Sequence, residues 1–381
     1  MANILYFGTL NSYVTQNDIL VFRKNRHDLT IINVYPIDGN CKEGLIDYEK
    51  LIDIYDADTS GKLIRIDRAI ARMSKNIIVD CFKLKAKKFR EIFKDNAFDM
   101  VYASWGSNMI PYMKIIQKAK LKVPIVYNFL SYPQNVYKWK VFLENWYCQK
   151  TIENLDGRIH ATEEMYRYMI NHFNLRKHGL DTVITPFFSK RYRFRRRLPL
   201  LSEYDGEPHI VYIGPMSLPW DDIRQEIYEI TREKIHFHMA QPNVSIKSNP
   251  YLHFFPYFPL PQLTDGSLAT FMTQFDACIV LFNFKACSCM DRFYNSFPSR
   301  FLFALNAGIP VVMPKGYLPE CEKFVNEHQI GFAYGNLAQL KMMLNDEDLM
   351  RRCRRNALKK TADFTYEKEF HKLDELIKAV S

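Results

Sequence analysis

Chemically useful side chains are concentrated in one polar loop, residues 283–300. An arginine beside the first turn of a helix suits a pyrophosphate, because the guanidinium and the N-terminal N–H groups both attract phosphate oxygens. The same residue types also suit a solvated charged loop, so the loop alone leaves both interpretations open. The candidate residues are Asp291, Arg292, Asn295, Ser296, Ser299 and Arg300.

The segments on either side of this loop predict a βαβ unit. Apolar runs at 277–282 and 309–313 predict strands, and the apolar periodicity of 299–305 predicts a helix between them. Gly308 is typical of the residue that ends such a helix. Because ligands of open α/β sheets bind beyond the carboxyl ends of the strands, the polar loop is expected at the ligand-binding edge.

Strand and helix patterns alternate along the rest of the chain, which predicts an α/β fold with parallel sheets. Further predicted strands are residues 3–7, 28–35, 99–103, 123–127, 155–161, 181–185, 209–213, 235–240 and 251–255. Further predicted helices are residues 81–94, one from 109, 137–148, one capped by Thr162, 222–231, 339–344, 347–362 and 366–380. Region 42–80 has no clear pattern. We predict a first domain over 1–190, a linker over 191–207, a second domain over 208–362 and a terminal helix within 363–381.

Length and composition are those of a soluble, globular protein. The chain has 381 residues, of which 48% are hydrophobic and 25% charged, enough for two domains with separate cores. No run of roughly 18 apolar residues is present. The N-terminus enters a predicted strand without the features of a signal peptide. We therefore expect a cytoplasmic protein.

The net charge of +10 is concentrated in basic stretches at 83–94, 138–140 and 190–197, and aromatic residues make up 14% of the chain. Such stretches fit anionic lipid, nucleic acid or a phosphate-bearing substrate. No nucleic-acid motif is present, so we expect no nucleic-acid partner and favour lipid or a pyrophosphoryl lipid. A solvated basic surface is the alternative. The aromatic and basic segment 137–148 suits either a membrane surface or a helix facing the core.

No metal site is predicted. None of the eight cysteines forms a C-x-x-C pair, and Cys287 and Cys289 have no matching second pair. Cys278 lies in an apolar run and is interpreted as a buried thiol. His236 and His238 alternate on one predicted strand without a third partner, so we interpret them as surface or hydrogen-bonded core residues.

A series of short motifs runs through the second half of the chain. They are 209–214 (HIVYIG), 275–279 (FDACI), 306–312 (NAGIPVV), 318–320 (LPE), 330–332 (IGF, taken as a turn) and 364–366 (FTY). In this order they resemble the C-terminal domain of the GT-B glycosyltransferases, particularly the family 4-like group. The resemblance implies the GT-B fold, in which two Rossmann-like domains face each other across a cleft and a C-terminal helix packs back on the N-terminal domain.

The chain also departs from this family. Asn295 and Phe303 occupy positions where the family usually has a pair of glutamates, the second of which contacts the ribose. That contact is therefore in doubt. Pro298 to Arg300 has the spacing of the family's Pro-x-Lys, whose lysine contacts the donor phosphates, so the resemblance implies that role for Arg300.

The resemblance implies site residues in both halves. Catalytic candidates are Arg300, Asp291 and Ser131, with Asp221 and Asp222 as further acids. Donor-binding candidates are Gly214, Pro215, Met216, Tyr257, Asn295, Ser296, Ser299 and Arg300. Acceptor-side candidates are Gly8, Thr9, Ser104, Trp105 and Asn128. Tyr257 is placed where a nucleobase commonly packs, although a buried core tyrosine fits its position equally well. The first half matches the family only in layout, and Ala103 and Trp105 stand near its usual histidines.

The function implied is transfer of a sugar from a nucleotide-sugar donor to a glycan or lipid-linked acceptor in polysaccharide or glycolipid biosynthesis, without cofactor or metal. No clear base follows the strand at 123–127, which favours retention of configuration, because the leaving phosphate can accept the proton. The expected location is the cytoplasm, where the basic and aromatic stretches allow peripheral contact with the inner face of the cell membrane. A catalytically inactive homologue that binds sugar or regulates a partner is the alternative. An oxidoreductase is disfavoured, because no G-x-G-x-x-G follows the first strand.

Overall fold

The computed structural model describes residues 2–10, 12–33, 50–53, 90–94, 97–175, 179–242 and 245–380. Residues 90–94 are helical, but residues 81–89 of the predicted helix, much of the basic stretch 83–94, and Cys41 and Cys81 lie outside these ranges. Most of the unpatterned region 42–80 lies outside them as well.

The chain divides into two compact units. Unit 1 comprises Met1–Asn135, Trp139–Ile184 and Phe370–Ser381, and unit 2 comprises Val136–Lys138 and Thr185–Glu369. Residues 191–207, the predicted linker, belong to unit 2.

Unit 1 is built on a seven-stranded parallel sheet. Its strands are β1 (Asn3–Gly8), β2 (Asp28–Asn33), β3 (Lys50–Asp53), β4 (Met100–Trp105), β5 (Ile125–Phe129), β6 (Gly157–His160) and β7 (Leu180–Val183). Their spatial order is β3-β2-β1-β4-β5-β6-β7. Besides the helical residues 90–94, the helices described in this part of the chain are α1 (Tyr13–Lys24), α2 (Ile110–Ala119), α3 (Lys138–Glu153) and α4 (Glu163–His172). β4 and β5 are buried along almost their whole length, as expected of parallel strands covered on both faces.

Side-chain N-caps define the first residues of two of these helices. Ser12 accepts a hydrogen bond from the Val14 N–H at the start of α1, and Thr162 accepts one from the Met165 N–H at 3.0 Å, which confirms its predicted role as N-cap. The prediction did not include α1. The sequence of α1 lacks the apolar periodicity of an amphipathic helix, because the face that the helix buries carries polar residues. They are Thr15, Gln16, Asn17 and Asp18.

A buried charged group links the last two strands of unit 1. Arg158 is fully buried, and its Nε and Nη2 donate to the two carboxylate oxygens of Asp181 at 2.8 and 2.7 Å. His160 Nε2 lies 2.7 Å from Asp181 Oδ1. Burial raises the pKa of Asp181, but the hydrogen bonds from Arg158 and His160 outweigh it and hold the pKa below its ordinary value.

Unit 2 is built on a six-stranded parallel sheet. Its strands are β8 (His209–Tyr212), β9 (His236–Ala240), β10 (Leu252–Phe255), β11 (Ala277–Ile279), β12 (Val311–Pro314) and β13 (Gly331–Tyr334). Their order is β10-β9-β8-β11-β12-β13. Its helices are α5 (Ser202–Asp205), α6 (Arg224–Arg232), α7 (Leu260–Thr264), α8 (Ser267–Met272), α9 (Asp291–Tyr294), α10 (Ser299–Ala307), α11 (Pro319–His328), α12 (Leu337–Leu344) and α13 (Glu347–Lys360).

The predicted βαβ unit is confirmed as β11, α10 and β12, with α10 ending at Gly308 in the left-handed conformation (φ 61°). The predicted turn at 330–332 is wrong, because Gly331 begins β13 and pairs with Val311. Cys278 is a buried thiol as predicted, and burial raises its pKa to about 12.

The last helix, α14 (Tyr366–Val380), begins at the predicted residue. From Phe370 onward it belongs to unit 1, where the Phe370 ring packs 6.2 Å from that of Phe22 and 6.1 Å from that of His27. Among the described helices, none combines the length and the apolar character needed to cross a bilayer.

Each sheet has one point where the strand order reverses. In unit 1 this point lies between β1 and β4, and in unit 2 between β8 and β11. Ligands of such sheets bind outside the carboxyl ends of the strands at these switch points. The segments after β1, β4, β8 and β11 are therefore the places to look for a site.

Candidate functional site

An arginine lies at the switch point of unit 2. Arg300 is the second residue of α10, and its Nη1 donates to the carbonyl oxygen of Leu281, just after β11. Its Nη2 lies beside Gly214, just after β8. The guanidinium thus bridges the two strands between which the order reverses.

Two rings and a carboxylate hold this guanidinium in place. Its Cζ lies 4.4 Å from the ring centroid of Tyr212 and 4.1 Å from that of Phe282, within the range of cation–π attraction. Arg300 Nη2 lies 3.5 Å from Asp221 Oδ1, and both side chains are buried. Burial raises the pKa of Asp221, although Arg300 and Arg292 oppose the shift. An arginine held in this way is preorganised for an anion.

A close approach explains the glycine at position 214. A Cβ there would lie 2.7 Å from Arg300 Nη2 and 3.3 Å from the Tyr212 hydroxyl oxygen. Any side chain at this position would therefore displace the stacked guanidinium. Of the next two predicted donor-binding residues, Pro215 is exposed and Met216 is packed in the core of unit 2.

The loop before α10 is folded by its own hydrogen bonds. The Asn295 N–H donates to the Asp291 carbonyl at 2.9 Å, and the Ser296 hydroxyl donates to the Arg292 carbonyl at 2.6 Å. Asn295 and Ser296 are buried, whereas Asp291 and Ser299 are half-buried. A wholly solvated loop is therefore wrong as a description of this stretch.

The N-terminus of α10 lies at the same edge, because the helix follows the carboxyl end of β11. Its N-cap residue, Pro298, makes no side-chain hydrogen bond to the first turn. The N–H groups and dipole of this nine-residue helix favour negative charge near Ser299 and Arg300. The elements at this edge can therefore hold an anionic group.

The two further acids have different surroundings. Asp222 accepts two hydrogen bonds from Arg224, at 2.8 Å from Nε and 2.6 Å from Nη2. These bonds lower the pKa of Asp222 and keep it ionised. Asp221 instead pairs with Arg300, so its partner is the residue that the sequence singled out for phosphate contact.

Two other predicted positions differ sharply in burial. Tyr257 is 77% exposed, so the interpretation as a buried core tyrosine is wrong, and its packing on a nucleobase stays a prediction. Phe303 is buried, with its ring 4.8 Å from that of Phe188. It belongs to the core and presents no polar group to a ribose.

Glu226 is a polar residue of unit 2 that was not predicted from the sequence as part of a site. It lies in the first turn of α6, and its Oε2 is buried without a hydrogen-bond partner among the described residues. Burial raises its pKa, while Lys285 opposes the shift. Sequence alone offered little indication, because one glutamate in the first turn of a helix is ordinary.

In unit 1, four of the predicted acceptor-side residues lie at the switch point. Gly8 ends β1, and Ser104 and Trp105 end β4. The Thr9 N–H donates to Thr15 Oγ1 at 3.2 Å. The fifth, Asn128, is buried in β5 and donates to the Tyr102 hydroxyl at 3.0 Å.

Ser131 follows β5 in unit 1. Its hydroxyl and its carbonyl both accept hydrogen bonds from Gln134 Nε2, the latter at 2.7 Å. The Gln134 amide is a donor and not a base, so these bonds do not activate the Ser131 hydroxyl as a nucleophile. Its predicted catalytic role stays a prediction.

A buried carboxyl group beneath this edge was also missed. The Tyr6 hydroxyl donates to Asp18 Oδ2 at 2.8 Å and lies 3.4 Å from Ser104 Oγ. Burial raises the pKa of Asp18 from 3.8 to about 7, although hydrogen bonds from Tyr6 and Ser104 lower it. Asp18 is therefore a group that titrates near neutral pH directly under the predicted acceptor-side residues.

Replacing Asp18 by asparagine should change the pH dependence of stability. The folded protein binds the Asp18 proton more tightly than the unfolded chain does, so this contribution to stability is fully present below about pH 4 and is lost as the pH rises to about 7. We expect Asp18→Asn to be more stable than the natural protein at pH 8, on the order of 2–4 kcal/mol. The advantage should shrink towards pH 4.

Thermal melting from pH 4 to pH 8 measures this difference. Asp28→Asn is the control, because the carboxylate that it removes is exposed to solvent. A difference between Asp18→Asn and the natural protein that is the same at every pH would contradict the assignment.

Known protein structures provide a comparison for this arrangement. No protein-family model and no curated protein sequence matches the chain. Among solved structures, sucrose-phosphate synthase from Thermosynechococcus elongatus aligns over 100% of both chains with a TM-score of 0.67 at 11% identity. Anabaena HepE in complex with UDP-glucose aligns over 100% of both chains with a TM-score of 0.64 at 14% identity.

A third match, trehalose-6-phosphate synthase from a study of glycosyl transfer with retention, also covers 100% of both chains, with a TM-score of 0.67 at 8% identity. At these identities the likeness concerns the fold. The chain has the α/β fold of the GT-B glycosyltransferases.

Proposed function

We propose that the protein is a glycosyltransferase that moves a sugar from a nucleotide-sugar donor to an acceptor hydroxyl. The observation that carries the proposal is the Arg300 guanidinium at the switch point of unit 2, beside Gly214 and the start of α10. The matching structures support it, since HepE was solved with UDP-glucose and the two synthases are named for products that contain joined sugars. We assign donor binding to unit 2 and acceptor binding to unit 1.

The chemistry required of unit 2 is stabilisation of a leaving diphosphate. Negative charge develops on the phosphate as the bond to the sugar breaks, and fixed donors aimed at that charge lower the barrier. Arg300, the first N–H groups of α10 and the backbone of Gly214, Pro215 and Met216 supply such donors. Asp221 holds Arg300 in place, so the guanidinium need not reorganise during the reaction.

We further infer that transfer retains the configuration of the sugar. The residues predicted for the carboxyl edge of unit 1, Gly8, Thr9, Ser104, Trp105, Asn128 and Ser131, include no carboxylate or imidazole. His160, the last residue of β6, also lies at this edge, but it is buried and its Nε2 contacts Asp181. Asp18 is buried beneath the Tyr6 hydroxyl. An inverting reaction needs a base for the acceptor hydroxyl, whereas in retention the leaving phosphate can accept that proton.

The test is an incubation with a panel of nucleotide sugars, followed by detection of the released nucleoside diphosphate. A thermal-shift screen should first select the donor, because a ligand specific to the folded state raises its melting temperature. Release of diphosphate with one donor, and a product with the donor's anomeric configuration, supports the proposal. Donor binding without transfer to any polysaccharide or glycolipid acceptor would favour an inactive sugar-binding homologue.

We also propose that α3 brings the protein to an anionic membrane surface. One side of α3 is buried through Val141, Cys148 and Ile152. The other side exposes large apolar side chains, among them Phe142 at 70% and Trp139 at 60% exposure. The sequence of this segment suits either membrane contact or core packing, and the helix has one face for each. Such a location at the inner face of the cell membrane would suit a lipid-linked acceptor.

This proposal predicts the behaviour of a triple variant. Replacing Trp139, Phe142 and Trp146 by serine should weaken binding to phosphatidylserine vesicles about tenfold or more, because each aromatic ring gains roughly 1.5–3 kcal/mol when buried in apolar surroundings. Co-sedimentation measures the loss. A matched control replaces the exposed Tyr204 and Tyr228 of unit 2 by serine. Equal binding by the triple variant and the control would overturn membrane contact through α3.

A further inference from the structure

Four histidines lie together on one face of the unit 2 sheet. His209 and His236 are the first residues of β8 and β9 and are register partners, and His238 pairs in the same way with His253 of β10. The His209 and His236 rings stack with centroids 4.2 Å apart and planes at 8°. The sequence alone predicts no third partner for His236 and His238. That interpretation was incomplete, because the partners come from neighbouring strands.

The turn before β8 adds carboxylates to this cluster. Asp205 Oδ2 lies 2.9 Å from His209 Nε2 and 3.6 Å from His236 Nε2. Glu207 Oε2 lies 3.0 Å from His236 Nε2. The other Asp205 oxygen accepts the Glu207 N–H at 3.0 Å, which directs Oδ2 to the imidazoles. Gly206 makes this turn possible, since its φ of 76° is unfavourable for other residues.

A second layer fixes the orientation of both imidazoles. His209 Nδ1 lies 2.8 Å from His238 Nε2, and His236 Nδ1 lies 2.7 Å from His253 Nε2. In metal sites, a ligating histidine almost always donates its other ring N–H to an outer partner, which leaves the ligating nitrogen unprotonated. Here both Nδ1 atoms have such a partner, and both Nε2 atoms converge on Asp205.

We propose that Asp205, His209 and His236 bind one zinc ion. Their three ligand atoms lie within 4.8 Å of one another. With zinc–ligand bonds of about 2.0–2.2 Å, tetrahedral coordination places ligand atoms roughly 3.4 Å apart. The separations of 2.9 and 3.6 Å from Asp205 Oδ2 fall on either side of that value. A water molecule completes the coordination, and Glu207, which lies near His236, stays outside it.

The donor atoms select the class of metal. Two imidazoles with a carboxylate suit zinc, whereas magnesium and calcium prefer sites made of oxygen ligands alone. The site lies at the amino-terminal edge of the sheet, opposite the edge that holds Arg300. Zinc at this position has a structural role, because it ties the turn at 205–207 to the starts of β8 and β9.

The test uses the full-length protein stripped of metal with EDTA and titrated with zinc chloride, with binding followed by calorimetry and stability by thermal melting. We expect one zinc ion per chain and a rise in melting temperature, because zinc binds the folded state. Asp205→Asn and His236→Gln should each weaken zinc binding about tenfold or more, and His253→Gln in the second layer about tenfold.

The matched control is Glu203→Gln, which removes an exposed carboxylate from the same short helix, α5. It should bind zinc like the natural protein. Melting curves in EDTA show whether each variant is folded before zinc is added. The proposal is overturned if the natural protein binds no stoichiometric zinc, or if Asp205→Asn and His236→Gln both keep its affinity. These results would leave the cluster as a network of hydrogen bonds between carboxylates and imidazoles, and would not bear on the proposed sugar transfer.

Discussion

Replacing Arg300 by alanine is expected to lower kcat/KM for sugar transfer by about 10²–10³-fold, the usual effect of removing one preorganised donor from a developing negative charge. The variant also leaves Asp221 buried without its partner, which costs about 3 kcal/mol or more. Activity must therefore be measured at a temperature where melting shows the variant to be folded.

Two further variants separate the role of Arg300 in binding from its role in stability. Arg300→Lys keeps the charge but loses the planar fork and its stacking between Tyr212 and Phe282. Compared with Arg300→Ala, it should therefore restore the stability of the fold more than the rate of sugar transfer. Gly214→Ala keeps Arg300 and Asp221, but its Cβ displaces Nη2. It should therefore weaken donor binding.

Arg232→Ala is the control for these variants. It removes an exposed arginine at the last residue of α6, whose ring partner is Tyr228. Its activity should match that of the natural protein. If folded Arg300→Ala transfers sugar within about twofold of the natural rate, Arg300 does not contact the leaving group.

The largest loss of stability is expected for Asp181→Ala. Arg158 is fully buried and depends on both Asp181 oxygens, and His160 shares one of them. Removing one partner from a buried pair strands the other charge, and the expected loss is about 3–5 kcal/mol in the free energy of unfolding. Urea or thermal unfolding measures it.

An apolar replacement distinguishes stranded charge from lost packing. In Arg158→Met/Asp181→Leu two apolar side chains replace this ion pair and no unpaired charge is left in its place, so the double variant should be more stable than Asp181→Ala. It does not recover fully, because the guanidinium also donates to the Leu155 and Leu175 carbonyls. If the double variant is less stable than Asp181→Ala, the arrangement stabilises the fold by packing rather than through its charges.

Local patterns were sufficient to predict the central part of the fold. The run from β11 through α10 to β12 could be predicted because its apolar periodicity and Gly308 are encoded within neighbouring residues. α1 could not be predicted, because Asp18 and its neighbours fill the buried face with polar groups whose partners, such as Tyr6 and Ser104, lie elsewhere in the sequence. β3 could not be predicted either, because it is a strand of only four residues in a region without a clear hydrophobic pattern.

The candidate site could likewise be predicted only where it depends on residues that are neighbours in the sequence. The position of Arg300 followed from its spacing to a helix start, but its pairing with Asp221 and its approach to Gly214 depend on the order of β8 and β11 in the sheet. The histidine cluster shows the same limit, because β8, β9 and β10 bring together residues whose register the sequence does not reveal.

The most direct measurement is a crystal structure of the protein soaked with the nucleoside diphosphate of its selected donor. We expect pyrophosphate density at the carboxyl edge of unit 2, within hydrogen-bonding distance of Arg300 and over the first turn of α10. Density for the nucleotide at any other place in unit 2, with Arg300 bonded only to Asp221 and Leu281, would contradict it.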